Sequence, residues 1–348
     1  MFDHIIGNDH VKHFFSRMIE RDMIGQSFLF AGSHGIGKSL FAKALASHIV
    51  GKQTKHHPDI RIYRPEGKIG MHSLDTMRQF NEDVYLAPLE SNKKVFILHD
   101  ADRMLGTSAN ALLKTFEEPA DDTVIILLTS NPENLLTTVI SRCRRVFFHP
   151  VENQLIVDWL VEQKSIDRSA AEQFVPFAGG SVTEALRLCE KGQDELRILI
   201  LDLLAGGRHS FRDIQQFSSE VSRYLNHLKE ELESSAREAL TNMDIKEMTA
   251  VQREQLAKEV DGVVSLNFQA EVDRVLQVMI SWYRDLHLLH SEGSKELLIN
   301  RDREDAMKAQ KTPHSLDQIQ ELVAKTRLAI QRFAPVQSSF ETLLLQLS

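Results

Sequence analysis

The chain has 348 residues, enough for two or three domains with sizeable apolar cores. Hydrophobic residues make up 42% and charged residues 26%, which is typical of a globular protein and excludes a disordered or fibrous chain. The 41 Lys and Arg against 49 Asp and Glu give a formal net charge of -8, so strong unaided binding to a polyanion is not expected.

Neither a membrane segment nor a metal-binding cysteine motif is predicted. The apolar runs are far shorter than the ~20 residues of a membrane helix, and the N-terminal residues lack a secretory pattern, so we expect a cytoplasmic protein without membrane contact. Cys143 and Cys189 are far apart in the sequence, so we expect two buried, reduced thiols and no zinc site. For the pair His56-His57 a turn is favoured over a metal ligand.

Residues 1–150 alternate short apolar runs with helical patterns, which predicts an α/β domain with a parallel sheet covered by helices. The runs are nearly unbroken, as in strands that are buried on both faces. Predicted strands cover residues 27–31, 60–63, 95–98, 124–130 and 146–148, and predicted helices cover residues 39–50, 74–85 and 108–118.

The strand pattern ends at Pro150. Short helical patterns at 153–163, 169–178 and 182–191 predict a small helical lid domain over residues 151–205. Residues 206–348 are rich in helix-forming residues and predict an all-helical C-terminal domain. Within it, one helical stripe is expected in the core of a bundle rather than in a coiled coil: Leu316, Ile319, Val323, Ile330 and Phe333.

A phosphate-binding loop is predicted after the first strand, at the start of a helix. Residues 32–39 read G-S-H-G-I-G-K-S and match the motif G-x-x-x-x-G-K-[ST] in full. In such loops the backbone N–H groups cradle phosphate oxygens, the Lys neutralises charge and the Ser holds Mg²⁺. We therefore predict an ATP and Mg²⁺ site, with a ligand-free glycine turn as the alternative, formed by Gly32, Ser33, His34, Gly35, Ile36, Gly37, Lys38 and Ser39.

A second acidic motif follows the strand predicted at 95–98. Asp100 at the strand end is expected beside the loop, where it binds Mg²⁺ directly or contacts one of the groups that bind it, although a solvated strand end is the alternative. In hydrolysing ATPases of this type a Glu follows and activates the attacking water, but here the position is Ala101. Asp102 points in a different direction from a residue at position 101, so we expect a weak or inactive ATPase.

Residues 110–119 read N-A-L-L-K-T-F-E-E-P. This run closely resembles the N-A-L-L-K-T-L-E-E-P signature of bacterial clamp-loader subunits, which are AAA+ proteins of DNA polymerase III. Thr129-Ser130-Asn131-Pro132 resembles the sensor-1 strand end, and Ser141-Arg142-Cys143 the S-R-C motif. Ile5-Ile6-Gly7-Asn8 is similar to the adenine-side box, with Asn8 where Gln is usual. The resemblance is dense over residues 1–150 and thin beyond them.

Departures from the family pattern favour its delta-prime branch. The gamma and tau motor subunits carry a four-cysteine zinc module, the catalytic Glu and a sensor-2 Arg. Here residues 51–57 contain no Cys, Ala101 replaces Glu, and Thr183 stands where the Arg would be. Many delta-prime subunits keep the zinc module, so residues 51–70 depart from that branch as well.

The resemblance implies a gapped ring of one delta, three gamma or tau and one delta-prime subunit, joined through C-terminal collar domains. This ring opens a sliding clamp and loads it on primer-template DNA. Within the DNA polymerase III holoenzyme, the chain is then a stator whose Thr129 contacts nucleotide and whose Arg142 is an arginine finger for a neighbour's ATP. Alternatively, Arg142 caps the preceding helix or pairs with an acid. The alternative functions are an active gamma/tau-type ATPase and another AAA+ machine such as a branch-migration helicase.

Overall fold

In the computed structural model, the described residues are 1–2, 4–21, 23–51, 57–66, 70–104, 106–191, 195–207, 209–241, 250–310 and 314–347. They form two compact units, one from Met1–Glu66 with Gly70–Glu190 and one from Lys191–Ser348. The helix Glu195–Ala205, α10, packs with helices of the second unit, whereas the sequence-based boundary placed it in the lid. The division into three domains stays a prediction.

The first unit is built on a five-stranded parallel sheet, as the short apolar runs predict. Its strands are β1 (Ser27–Ala31), β2 (Ile60–Tyr63), β3 (Lys94–Leu98), β4 (Thr123–Thr129) and β5 (Arg144–Phe147). Their order across the sheet is β2-β3-β4-β1-β5, and β3 and β4 are buried along their whole length. The predicted α/β fold class is therefore confirmed.

Helices cover both faces of this sheet. On one face lie α1 (Asp9–Glu20) and α2 (Lys38–Ile49), which pack Phe15 and Phe41 against β1 and β4. The other face is covered by α3 (Leu74–Tyr85), α4 (Gly106–Ala111), α5 (Leu113–Glu117) and α6 (Thr137–Ile140). Two differences from the sequence prediction concern these helices: α1 was not predicted, and the single helix expected over 108–118 is divided into α4 and α5 at the buried residue Leu112.

A buried carboxylate fixes the loop before β3. Asp59, 3% exposed, accepts hydrogen bonds from the backbone N–H groups of Leu89, Glu90 and Ser91 at 2.6–2.9 Å. Burial alone would raise the pKa of Asp59, but these donors and the Ser91 hydroxyl lower it to about 2. His57 forms the turn expected there, accepting from the Asp59 N–H, whereas His56 lies outside the described residues, like the rest of 52–56 and 67–69.

After β5, three helices complete the first unit: α7 (Asn153–Lys164), α8 (Arg168–Phe174) and α9 (Val182–Lys191). They enclose a small apolar cluster around Ile156, Leu160 and Ala185. We refer to residues 151–190 as the lid. The two cysteines are free thiols; Cys143 is buried and Cys189 is half-buried.

The described part of the second unit is helical, with α10, α11 (Phe211–Thr241), α12 (Ala250–His290), α13 (Glu304–Lys308), α14 (Leu316–Gln331) and α15 (Val336–Leu347). The predicted stripe of α14 is only partly correct. Ile319, Val323 and Ile330 are buried in the bundle core, but Leu316 is 36% exposed and Phe333, which follows the helix, is 66% exposed. Both lie at the ends of the stripe, where packing neighbours are fewer. None of the described helices is long and apolar enough to cross a membrane.

Candidate nucleotide-binding site

The predicted phosphate loop connects β1 to the start of α2. Gly32 has a φ of +153°, and a Cβ built there would lie 2.5 Å from the carbonyl oxygen of Phe148, so no larger residue fits. Ile36 points its side chain into the apolar core, which leaves only its backbone for a ligand. His34 is exposed and Ser39 half-buried at the first turn of α2. The loop therefore offers backbone groups and a helix N-terminus, as phosphate binding requires.

Lys38 is the buried cation of the loop. Its Nζ donates to the carbonyl oxygens of Gly32 and Ser33 at 2.5 and 2.7 Å and to the Ser130 hydroxyl at 3.2 Å. Burial lowers the pKa of Lys38 to about 8, although nearby carboxylates oppose this shift. The ammonium is thus held in the loop by oxygen atoms whose place phosphate oxygens can take. The contact with Ser130 had no signal in the sequence.

Asp100 follows β3 and shares a cavity with the loop, as predicted. Its backbone is left-handed, with a φ of 48°, a conformation that Asp tolerates better than most residues. Burial raises the pKa of this carboxyl group, while His34 and Arg103 oppose the shift. Ser39 lines the same cavity, so the predicted pair for Mg²⁺ is brought to one place. Among the described residues, no group of three or more His, Cys, Asp or Glu side chains forms a metal site.

The two residues after Asp100 have no free carboxylate for water activation. Ala101 is fully buried and belongs to the apolar cluster under the sheet that includes Leu29 and Leu127. Asp102 accepts a hydrogen bond from the Thr129 hydroxyl at 2.6 Å and one from the Asn131 side-chain amide at 3.4 Å. Its carboxylate therefore fixes the end of β4, including Thr129, which is 1% exposed and lines the cavity.

The lid is hydrogen-bonded directly to the phosphate loop. The backbone N–H groups of Val182 and Thr183, at the start of α9, donate to the Gly35 carbonyl oxygen at 3.0 and 3.4 Å. A Cβ at Gly35 would lie only 2.1 Å from the Ser181 hydroxyl oxygen, so any larger residue would displace this hydroxyl, and the φ of +75° also favours glycine. Because positions 35 and 181–183 are far apart in sequence, no local pattern predicted this contact.

The cavity between loop, strand ends and lid has a volume of ≈ 380 Å³, within the usual range for small-molecule sites. Besides the loop it is lined by Ile5, Ile6 and Trp159, which supply apolar surface, and by Thr183. Asn8 does not line it. Instead its side chain bridges both backbone polar atoms of His149, donating to the oxygen at 3.1 Å and accepting from the N–H at 2.7 Å. This anchors the N-terminal segment beside the site.

Arg142 does not line the cavity and is held at the end of α6. Its Nη1 donates to the Thr138 carbonyl oxygen at 2.9 Å, and its Nη2 forms an ion pair with Glu117. Helix capping and acid pairing are thus both present within the chain. The side chain remains 27% exposed, and its Nε–H has no hydrogen-bond partner among the described residues. A role in trans stays a prediction.

Comparison with known proteins shows that the N-terminal region is similar to DNA polymerase III subunits. Residues 7–152 match the family described as "DNA polymerase III, delta subunit". DNA polymerase III subunit delta' of Bacillus subtilis is 35% identical over 162 residues, covering 42% of this chain and 48% of that protein. Subunit delta' of Escherichia coli is 32% identical over 153 residues, covering 44% of this chain and 46% of that protein.

A second kind of relative is also similar. DNA polymerase III subunit gamma/tau of Mycoplasma pneumoniae is 28% identical over 208 residues, which cover 55% of this chain and 30% of that protein. The chain thus spans about half the length of the delta' relatives it matches, and less of this gamma/tau relative. The resemblance to clamp-loader subunits that the motifs predicted is confirmed, and it is of the delta-prime type.

Proposed function

We propose that this chain, whose residues 7–152 match the family described as "DNA polymerase III, delta subunit", acts as the delta-prime stator of a clamp loader of bacterial DNA polymerase III. The observation that carries the proposal is the burial of Ala101 beside an intact phosphate loop. The loop supports ATP binding, whereas the position that should activate water holds a methyl group inside the core. Such a subunit keeps its nucleotide and acts on a neighbouring site.

In this proposal the loop residues 32–39 hold the phosphates of ATP. Lys38 exchanges its contacts with loop oxygens for phosphate oxygens, while Ser39 and Asp100 take the Mg²⁺ ion directly or through water. The ion supplies charge neutralisation on the phosphates when it is bound. Thr129 stays fixed by Asp102 and borders the site without a carboxylate that could move toward the nucleotide.

The contact between the lid and the loop supports a stator rather than a motor. The first N–H groups of α9 are used by the Gly35 carbonyl oxygen, and Thr183 supplies no cation toward a phosphate. A lid that is hydrogen-bonded to the loop does not need a nucleotide to be held in place. We therefore expect the first unit to change little between nucleotide-free and nucleotide-bound forms.

Arg142 is the group that we assign to the neighbouring ATP. It would turn from Glu117 toward the γ-phosphate in an adjoining gamma or tau subunit, where a guanidinium stabilises charge in the transition state. Residues 206–348 would form the collar that joins it to the delta and gamma or tau subunits. The assembled cytoplasmic complex would open a sliding clamp and place it on primer-template DNA, as part of the DNA polymerase III holoenzyme.

The test is reconstitution with gamma or tau, delta, the clamp and primed DNA, followed by DNA-stimulated ATP hydrolysis. With Arg142→Ala we expect loss of hydrolysis at the one site that this chain completes. In a ring with three motor subunits, total turnover should therefore fall by at least about one third. Arg142→Lys should restore little, because the planar fork is missing. Arg168→Ala removes another exposed arginine that pairs with a carboxylate and serves as the matched control. Normal turnover of the Arg142→Ala complex would refute the finger.

The gamma/tau relative favours a second candidate, an active ATPase motor. The two functions differ in the behaviour of the isolated chain. A motor hydrolyses ATP alone, and that activity disappears with Lys38→Ala. A stator binds ATP, loses this binding with Lys38→Ala, and shows no hydrolysis in either form.

A further inference from the structure

A basic groove lies on the α1 face of the first unit and takes no part in the site described above. It has a volume of ≈ 620 Å³ and is lined by Phe14, Met18 and Met23 together with five basic side chains: His10, His13, Arg17, Arg21 and Arg144. Among the described residues, no carboxylate lines it. We call this feature the α1 groove.

The arrangement of these basic residues follows from helix geometry. His10, His13, Arg17 and Arg21 are spaced by three, four and four residues, which places them along one side of α1 and its C-terminal end. They span about 16 Å at 1.5 Å per residue. Arg144 enters from β5, an edge strand of the sheet, and lies across the Phe14 ring with its guanidinium carbon 4.6 Å from the ring centre.

The charges of the α1 groove are not neutralised within the described part of the chain. Arg17, Arg21 and Arg144 are exposed, and none of them forms an ion pair with a described carboxylate. Of the acids on α1, Asp9 is bonded to Lys12. The chain has a net charge of -8. Three guanidinium groups around one concave surface, without an ion-pair partner among the described residues, are therefore a local reversal of the overall charge. Such a surface fits an anionic partner.

Two features favour a nucleic acid strand over an acidic protein segment. The half-buried Phe14 ring puts aromatic surface among the cations, the combination that single-stranded nucleic acids use for stacking and phosphate contact. The basic row, about 16 Å long, is long enough to follow several phosphates of one strand. We propose that the α1 groove binds single-stranded DNA.

This site is separate from the proposed arginine finger. Arg142 and Glu117 belong to the elements that pack on the other face of the sheet, whereas Phe15 and Met18 of α1 pack on this one. A strand in the α1 groove therefore does not compete with the contact made by Arg142. The proposal also does not depend on nucleotide binding, so Lys38→Ala should bind single-stranded DNA like the natural sequence.

The experiment is fluorescence anisotropy of the full chain with a labelled 20-mer of thymidylate, from 50 to 200 mM salt. With three phosphate contacts the slope of log K against log salt should be about −2, an affinity loss of roughly twentyfold over this range. Arg17→Glu with Arg21→Glu should weaken binding at least about tenfold at 50 mM salt and flatten the slope. This pair spares Arg144, whose stacking on Phe14 contributes to packing.

Arg78→Glu is the matched control, because Arg78 is an exposed arginine of α3 away from the groove. It should leave the affinity unchanged, and circular dichroism must show that every variant keeps its helices. Absence of binding at 50 mM salt, or equal weakening by Arg78→Glu, would overturn the proposal. So would equal or tighter binding of a duplex or of a poly-glutamate peptide, since either outcome identifies a different partner.

Discussion

Replacing Ala101 with Glu restores the residue type that a hydrolysing site needs at this position, and it tests why the chain should not hydrolyse ATP. Ala101 is 0% exposed and lies in the apolar cluster below β3 and β4. A glutamate there adds four heavy atoms to a filled space and brings a carboxyl group without a bonding partner. We therefore expect a destabilised protein and no gain of hydrolysis.

The cost has two parts. Overpacking of a well-filled core costs about 1–3 kcal/mol. A fully buried glutamate has a pKa of about 8–9 against about 4.3 when unfolded, so keeping it neutral at pH 7 costs about 4 kcal/mol. The sum, about 5–7 kcal/mol, is a large part of the 5–15 kcal/mol that typically stabilises a protein.

The sign of the pH dependence separates these parts. The folded pKa of the new carboxyl is raised, so the cost of keeping it neutral in the folded state grows as pH rises above the unfolded pKa. This cost nearly disappears at about pH 4. At pH 5 this part should fall to about 1 kcal/mol. Ala101→Gln has nearly the same volume without the ionisable group, and it should show the packing cost alone at both pH values.

The assay is thermal or urea unfolding of the three proteins at pH 5 and 7, with ATP hydrolysis of each measured alone. At pH 7 we expect Ala101→Glu to melt about 8 °C or more below the natural sequence. If the glutamate variant instead kept its melting temperature and hydrolysed ATP in a manner abolished by Lys38→Ala, the side chain would face the nucleotide. The explanation from core burial would then be wrong.

Three further predictions follow from the geometry. Because the pKa of Lys38 is lowered to about 8, the protein's affinity for MgATP should fall about tenfold between pH 7 and 9 as Lys38 loses its charge. The affinity of the Lys38→Arg variant should not change over this range. Titration with a fluorescent ATP analogue measures both. The pKa of Asp59 is lowered to about 2, which implies about 2 kcal/mol of stability above pH 4 that is lost as pH falls toward 2. The difference in unfolding free energy between the natural protein and Asp59→Asn should therefore narrow below pH 4. Gly35→Ala should lower both the melting temperature and the ATP affinity, because its Cβ meets the Ser181 hydroxyl. Gly51→Ala is the control, since Gly51 has the same φ of +75° but open space around it. This control should show only the strain of a left-handed backbone and leave the ATP affinity unchanged.

Much of the sheet is predictable because its strands are covered on both faces. A doubly buried strand needs an unbroken apolar run, and the runs at 27–31, 95–98 and 124–130 correspond to observed strands within one residue at each end. Helix α1 has a strongly amphipathic sequence, D-H-V-K-H-F-F-S-R-M-I-E, and could have been found from its apolar residues at positions 11, 15 and 18. Its polar side carries the basic row of the α1 groove.

The candidate site was predictable only where its residues are adjacent in sequence. The phosphate loop is one continuous motif, so its position and glycines follow from local reasoning. The partners that decide its behaviour come from elsewhere: Ser130 for Lys38, Thr129 for Asp102, and α9 for Gly35. These pairs are separated by 27 to about 150 residues, and only the sheet order and the lid packing bring them together.

The ion pair of Arg142 with Glu117 is weak enough to be separated, as the proposed role of Arg142 in trans requires. An ion pair between partly exposed side chains contributes about 0–1 kcal/mol, because water and salt screen it. Glu117 is 48% exposed at this contact, so separating the pair leaves its carboxylate solvated. A neighbouring triphosphate would carry more negative charge and, once the side chain turned outward, would offer oxygen atoms to the whole guanidinium fork, including the Nε–H that is buried and without a partner among the described residues. If Arg142 were instead paired with a fully buried carboxylate, its removal would cost about 3–5 kcal/mol and would hold the arginine in place. In the proposed role, the partly exposed pair would keep the guanidinium oriented in the free subunit and release it to a stronger anion.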